Sequence, residues 1–449
     1  MISHNKKREV KKKVFIETYG CQMNFNDSEI VMSVLSPHYQ NTDNINEAEL
    51  ILINTCSIRD NAEERIWNRL KHLRALKKKN KNLKIGVLGC MAERLKDDFI
   101  ERENIVDLVV GPDAYRELPQ LLSLVDSGQN AINTILSEEE TYADISPVRY
   151  ATNGVSAFIS IMRGCQNFCS YCVVPYTRGK ERSRNPHSIV EEAKDLFEKG
   201  YKEITLLGQN VNSYLWKNDQ ETIHFWNLME MVADVSPLLR IRFATSHPKD
   251  ISDELIDVIA QRPNICKSIH LPVQSGSDNM LKLMNRKYTR EWYLSRIEAI
   301  KNRMPDCTIS TDIIAGFCNE SEQDHQDTLD LMRKVGYSAA FMFKYSTRPG
   351  TFAYKKLDDN VPEELKIKRL QEIINLQQEL SLASNKRDIG KTFEVLIEGF
   401  SKRSDEQQFG RTSQNKVVVF PKSNLDKGNY VNVLIKSCTA ATLKGTIVD

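Results

Sequence analysis

The stretch AFISIMRGCQNFCSYCVVPYTR, residues 157–178, decides how the rest of the chain is read. An apolar run, Ala157 to Ile161, leads into a polar loop that carries Cys165, Cys169 and Cys172 in a C-x3-C-x2-C array. A disulfide would use two of these thiols and strand the third. A tetrahedral structural zinc takes four ligands, and no further cysteine or histidine follows at finger spacing. A [4Fe–4S] cube normally takes four thiolates, one per iron, so three leave one iron open, as a catalytic metal requires. Three buried structural thiols are the plain alternative. Arg163, Gly164, Asn167 and Ser170 make the loop polar and speak against it.

Downstream of this loop, short apolar runs alternate with helical patterns. Glu203–Leu207, 241–245, 267–271, 308–314 and 339–343 read as strands, and with 157–161 they predict a partial (βα)6 barrel within residues 151–383. In such a fold ligands gather beyond the C-terminal strand ends. The polar residues there are Gln209 and Asn210, Ser246 and His247, Gln274 and Ser275, Asp312, and Lys344 to Ser346. Each singly can be a turn former or a helix cap. Asp312 suits ligand hydroxyls, and Gln209 and Gln274 suit an adenine or a carboxylate. Gly276 and Gly316 beside them would let a ligand approach the backbone.

Upstream, residues 14–124 also alternate between strands and helices and predict an open parallel α/β sheet. Cys21 follows its first apolar run (VFIETYGC), Cys56 the second (LILINTC) and Cys90 the third (KIGVLGC). The strand ends of an open sheet share one edge, so these three thiols can meet in space and hold a second cluster with one open iron. Any one of them alone is more often a small buried hydrophobe. Residues 125–150 lose the pattern and read as a linker.

Pro362 opens a long helical pattern through about residue 383, and residues 384–449 then break into five short strands, which predict a small antiparallel β-barrel. Lys402, Arg403, Lys416 and Lys422 in its turns suggest RNA binding, with a structural cap as the alternative. The net charge of +2 over 449 residues conceals +5 in residues 1–13, read as a basic disordered arm, and +4 from residue 383 onward. Basic ends on an acidic body suit a polyanion. No apolar run reaches membrane-spanning length, and the lysine-rich start lacks a signal peptide's apolar region. Ten cysteines without such a signal point to reduced thiols or metal ligands in the cytoplasm; Cys266, Cys307, Cys318 and Cys438 lack cluster spacing.

The C-x3-C-x2-C loop, with aromatic Tyr171 before its last cysteine, resembles the radical S-adenosylmethionine (SAM) enzymes. Two cysteine triads, a βα barrel and a terminal β-barrel together resemble the radical SAM methylthiotransferases over essentially the whole chain after Lys13. YGCQMNFNDSE (Tyr19–Glu29), RGCQNFCSYCVVPYTRGKERSR (Arg163–Arg184) and GRTSQNKVVVF (Gly410–Phe420) are similar to the branch that acts on tRNA. Met23 stands where the ribosomal-protein branch tends to carry a lysine, and Gln166 departs from a common asparagine.

The resemblance implies two [4Fe–4S] clusters and SAM. Cys165, Cys169 and Cys172 would hold the radical-generating cluster, and Cys21, Cys56 and Cys90 the auxiliary cluster that supplies or carries sulfur. Tyr171, Gln209, Asn210, Ser246, Gln274 and Asp312 are the candidate cofactor-binding residues. The terminal barrel would be a TRAM domain holding the anticodon stem-loop of tRNA. The reaction implied is methylthiolation at C2 of N(6)-isopentenyladenosine at position 37, with one SAM as methyl donor and a second as radical source. Partners would be an electron donor such as flavodoxin or ferredoxin and iron–sulfur or sulfur carrier proteins, with no membrane. Threonylcarbamoyladenosine of tRNA or an aspartate of a ribosomal protein would keep every cluster ligand, and a non-enzymatic iron–sulfur RNA-binding sensor is an alternative of another class. C2 of adenine is an unactivated C–H that side-chain acid–base chemistry cannot open, so a cofactor is required. An unpaired anticodon-loop purine is the base that costs least to extrude.

Overall fold

The computed structural model describes residues 10–57, 60–150, 152–402 and 404–448. The chain divides into two units: residues up to Ala151 together with Val173–Arg182, and Thr152–Cys172 together with Ser183–Asp449.

The first unit is built on a parallel sheet of β1 (Lys12–Thr18), β2 (Tyr39–Asn41), β3 (Leu50–Thr55), β4 (Lys84–Gly89), β5 (Leu108–Val110) and β6 (Ala131–Asn133), ordered β2-β1-β3-β4-β5-β6. Its central strand, LILINT, is buried on both faces. Leu50 and Leu52 join the core formed with helix Gln22–Leu35, while Ile51 and Ile53 join the core formed with Leu70, Leu73 and Phe99. Period-two alternation thus feeds two hydrophobic layers, as a helix-covered parallel sheet demands.

The expected linker at 125–150 is part of this unit. β6 pairs with β5 at the sheet edge. Tyr142 is 2% exposed, donates its hydroxyl to the Pro112 carbonyl at 2.9 Å and accepts the Tyr115 amide at 3.0 Å. A three-residue edge strand and one aromatic anchor are too short to show a sequence period. The expected basic arm is also shorter than 1–13, because Lys12 and Lys13 already belong to β1 and pair with Asp126 and Glu47. Residues 1–9 of it lie outside the described residues.

In the second unit β7 (Ser156–Ser160), β8 (Glu203–Leu207) and β9 (Arg240–Ala244) form one parallel triplet, and β10 (Ser268–His270), β11 (Thr308–Ala315) and β12 (Ala339–Lys344) another. A single bridge, Ile241 to Ile265, links them. Ile159, Ile204, Leu206, Ile241, Ile269, Ile309 and Ile313 pack outward in one core with the helices. Several alternate positions, among them Ser160, Glu203, Arg242, His270 and Asp312, are polar, while Phe158, Leu207 and Ile314 in the same phase are apolar.

Helix Glu363–Lys386 leads to a closed barrel of five strands: Thr392–Ser401, Ser404–Thr412, Val417–Pro421, Tyr430–Cys438 and Leu443–Val448. Val395, Ile397, Val418, Phe420, Val433 and Ile435 fill it. The expected all-antiparallel arrangement is corrected at one seam: Val417–Pro421 pairs in parallel with Leu443–Val448. Alternating directions cannot close a ring with an odd number of strands.

The turn after Ser404–Thr412 caps the N-terminal ends of the larger barrel's strands. Arg242 reaches the Thr412 carbonyl at 2.7 Å and the Ser413 carbonyl at 3.1 Å, and Arg240 reaches the Arg411 carbonyl at 2.7 Å. Thr308 donates to the Gln414 carbonyl at 2.7 Å. Glu203, 1% exposed, accepts from Arg242 at 2.8 Å and Arg411 at 3.2 Å. Lys416, expected to face RNA, instead binds Asp388 and Ser384 at 2.5 and 3.0 Å, because the same turn brings it against the end of the long helix. Arg403 lies outside the described residues. Lys422 remains exposed beside the exposed Phe400 ring, 5.2 Å from its centroid.

Candidate functional site

The loop of Cys165, Cys169 and Cys172 is clamped by backbone hydrogen bonds. Ser170 N–H donates to the Met284 carbonyl at 3.0 Å, the Ala353 N–H to the Ser170 carbonyl at 2.7 Å, and Asn285 to the carbonyls of Asn167 and Phe168. Asn167 approaches the Cys165 sulfur at 3.6 Å. Arg286, which sequence reasoning missed, places Nη1 3.4 Å from the Cys169 sulfur and fixes Nη2 on the Pro272 carbonyl at 2.6 Å. The buried guanidinium thus sets an N–H donor beside the sulfur of this cysteine. The Tyr171 ring packs edge-on against Phe317, and its hydroxyl lies 3.5 Å from Arg286. Burial raises its phenol far above the ordinary range, against the opposing pull of Arg286.

Beyond the strand ends lies a set of buried polar atoms with no hydrogen-bond partner among the described residues: Gln209 Oε1, Asn210 Oδ1, Ser246 Oγ, His247 Nε2 and Ser160 Oγ. Buried polar groups are ordinarily satisfied, so unmet ones at the mouth of a barrel mark a polar ligand's place. Asn210 is oriented by Asp250 at 2.7 Å. The ends of β8 and β9 are tied by Val211 N–H to the Thr245 carbonyl and by reciprocal Asn212–His247 bonds. Burial and the nearby Arg286 and Lys249 depress His247 far below its usual range, so its ring is neutral. His247 packs on Tyr288, and Tyr288 meets Arg286, which connects these atoms to the cysteine loop.

Gln274 has φ +71°, an uncommon conformation for a side-chain-bearing residue, and is held by backbone bonds to Asp312 and Ile314. Asp312 is half-buried, 3.4 Å from His270 Nε2. The two glycines expected to admit a ligand serve packing. A Cβ on Gly276 would lie 2.5 Å from the Asp327 carbonyl oxygen, and one on Gly316 would lie 2.3 Å from Lys366.

In the first unit Cys21, Cys56 and Cys90 follow β1, β3 and β4, three neighbouring strands, at one edge of the sheet. Gly20 at φ +110° allows this approach, since a Cβ there would meet the Cys56 Cβ at 2.5 Å. Asn24 ties the loops together by donating to the carbonyls of Tyr19 at 2.7 Å and Thr55 at 2.9 Å. Within the same unit Arg178, 3% exposed, donates Nε to the Cys90 sulfur at 3.2 Å and Nη2 to Asn24 and to Asp27, at 3.0 and 2.8 Å. Burial raises the Cys90 thiol, and Arg178 opposes that rise. Among the described residues no three His, Cys, Asp or Glu side chains form a ready group for a single metal ion. A cube bound one thiolate per iron needs its ligands spread, and each triad offers three on one loop cluster with a guanidinium at hand.

Next to this edge lies a cavity of about 360 Å³ lined by Glu93, Arg94, Lys96, Thr134, Leu136 and Tyr176 among others. Glu93 is buried, its Oε2 is without a partner among the described residues, and burial raises its carboxyl to about 7.

Family comparisons agree with this layout. Residues 13–111 match the Uncharacterized protein family UPF0004, 159–332 the Radical SAM superfamily and 386–448 the TRAM domain. The solved structure of TsrM from Kitasatospora setae, a radical S-adenosylmethionine methyltransferase, is similar at a TM-score of 0.58, with 13% identity and 77% of each chain covered. The cobalamin-dependent S-adenosylmethionine radical enzyme OxsB is similar at 0.54, with 13% identity, 82% of this chain and 56% of that one covered. Fold and site therefore define a radical SAM protein. The tRNA-2-methylthio-N(6)-dimethylallyladenosine synthases of Bacteroides fragilis and Phocaeicola vulgatus are each 60% identical over 436 residues, 97% of this chain, the former over 95% of its own length. That of Porphyromonas gingivalis is 55% identical over 100% of this chain and 97% of its own. The chain belongs to the family of tRNA-2-methylthio-N(6)-dimethylallyladenosine synthases, enzymes that work with an iron–sulfur cluster and SAM. No helix among the described residues is long and apolar enough to cross a membrane.

Proposed function

We propose that the chain converts N(6)-isopentenyladenosine at position 37 of tRNA to its 2-methylthio derivative, using one SAM as methyl donor and another as radical source. The observation that carries this reading is the near-full-length identity to the synthases, combined with a cysteine triad at the C-terminal strand edge of each of two parallel sheets. When bound, two clusters would supply the electron that cleaves SAM and the sulfur destined for C2 of the adenine. Cys165, Cys169 and Cys172 would hold the first, and Cys21, Cys56 and Cys90 the second. Arg286 donates toward the Cys169 sulfur, and Asn285 and Ser170 hold the loop still. The unmet atoms of Gln209, Asn210 and Ser246, with Gln274 and Asp312, would bind SAM. Neutral His247 offers Nε2 to the same ligand without adding a charge.

The TRAM barrel, with Lys422 and Phe400 exposed together, would take the anticodon stem-loop through phosphate contact and base stacking. A flavodoxin- or ferredoxin-like electron donor and a sulfur carrier would complete the system in the cytoplasm. The test is anaerobic reconstitution followed by incubation with SAM, reductant, sulfide and an anticodon stem-loop bearing isopentenyladenosine. The 2-methylthio nucleoside is expected, together with 5′-deoxyadenosine. SAM cleavage without sulfur insertion into that RNA, but with insertion into one bearing threonylcarbamoyladenosine, would overturn the substrate assignment.

A further inference from the structure

Arg178 is an uncommon group to find enclosed. It is 3% exposed, its Nε donates to the Cys90 sulfur at 3.2 Å, and its Nη2 is held by Asn24 and Asp27. Asp27 is itself fully buried, so the pair is a rigid fixture of the sheet edge. The guanidinium's remaining donor, Nη1, is buried and has no partner among the described residues. A buried N–H of a charged donor left unmet forfeits its hydration, and such a group persists where an acceptor arrives later. Asn24 and Asp27 are already taken up by Nη2, and the other acceptor beside the guanidinium is the Cys90 sulfur.

We infer that Arg178 is a positioning residue of the Cys21, Cys56 and Cys90 centre, donating from Nε to the Cys90 thiolate and from Nη1 to a sulfur atom of the cluster those cysteines hold. The inference rests on the auxiliary-cluster reading above and deepens it. A fixed cation and two N–H donors stabilise the more negative, reduced form of an iron–sulfur centre and so raise its potential. Asp27 and Asn24 hold the fork in register, so a lysine at 178 would keep the charge and lose the geometry.

The experiment uses the full chain with Cys165, Cys169 and Cys172 all replaced by alanine, so that only the auxiliary site can load. Iron content, electron paramagnetic resonance and the midpoint potential are compared for this parent, Arg178→Met and Arg178→Lys after anaerobic reconstitution. The expected result is about four iron in each, a potential more negative in Arg178→Met, and a smaller shift of the same sign in Arg178→Lys. In the otherwise intact enzyme, methylthio product per 5′-deoxyadenosine should fall about tenfold or more in Arg178→Met, as for removal of other groups that hold metal ligands. An iron-free parent would sink the auxiliary-cluster reading itself. An iron-loaded parent whose potential and spectrum Arg178→Met leaves unchanged would overturn the role of Arg178 alone. Should Arg178→Met fail to fold, Arg178→Lys decides by the same comparison.

Discussion

Glu93 shows how one residue carries the pH behaviour of its surroundings. Burial raises its carboxyl to about 7, so the folded state holds this proton more tightly than the unfolded chain does. The stability tied to it is therefore full below about pH 4.5 and declines as pH rises toward about 7. Glu320 is raised to a similar value by burial, and His247, held neutral, contributes with the opposite sign, so Glu93 is one of several sources of the wild-type slope. Glu93→Gln keeps the volume and removes the charge. Its melting temperature is expected to fall less between pH 5 and pH 8 than that of the wild type, measured by circular dichroism. Parallel curves would show that Glu93 is hydrated in solution.

The six cysteines proposed as ligands were legible at this scale because their spacing and their places at strand ends are written in the chain. Arg178 and Arg286 were not. They meet their cysteines from 88 and 117 positions away, and nothing local distinguishes them from surface arginines.

At the scale of elements, one turn and one carboxylate seat the small barrel on the strand ends, beside contacts such as Tyr430 with the Lys202 and Leu238 carbonyls and Lys416 with Asp388. Glu203 is held below the usual carboxylate range by Arg242, Arg411 and Arg240, although burial pushes it the other way. Glu203→Gln leaves Arg242 without its carboxylate in the interior, although Arg240 keeps Glu394 and Arg411 keeps Glu398, and a loss of about 3 kcal/mol is expected in urea unfolding. It should also weaken tRNA binding in filter assays, because the barrel's seat on the N-terminal strand ends is lost. A stability change within experimental error would mean that water screens this cluster. Deleting residues 384–449 is a poorer test of RNA binding, since it also uncovers Arg240, Arg242 and Glu203. Lys422→Ala is the cleaner one: affinity should drop while melting temperature stays put, with a shallower salt dependence. Five strands and a basic surplus could be read from the sequence. That Thr412 to Gln414 cap another sheet could not, because turn residues look alike whether they face solvent or a strand end.

For the whole molecule, the α/β unit, the partial barrel and the terminal barrel follow from hydrophobic periodicity and turn placement. The division of the chain does not. Val173–Arg182 follows the radical loop in sequence yet belongs to the other unit, and a discontinuous unit leaves no mark in composition. Two centres predict about eight iron per chain in the wild type and about four when either triad is replaced by alanine, measured by iron analysis. The most direct test of the account is the modified-nucleoside profile of tRNA from a strain lacking this gene. The account predicts that 2-methylthio-N(6)-isopentenyladenosine disappears, N(6)-isopentenyladenosine accumulates, and the wild-type gene but neither triple-alanine variant restores the modification. Persistence of the 2-methylthio nucleoside at its normal level in the deletion strain would contradict it.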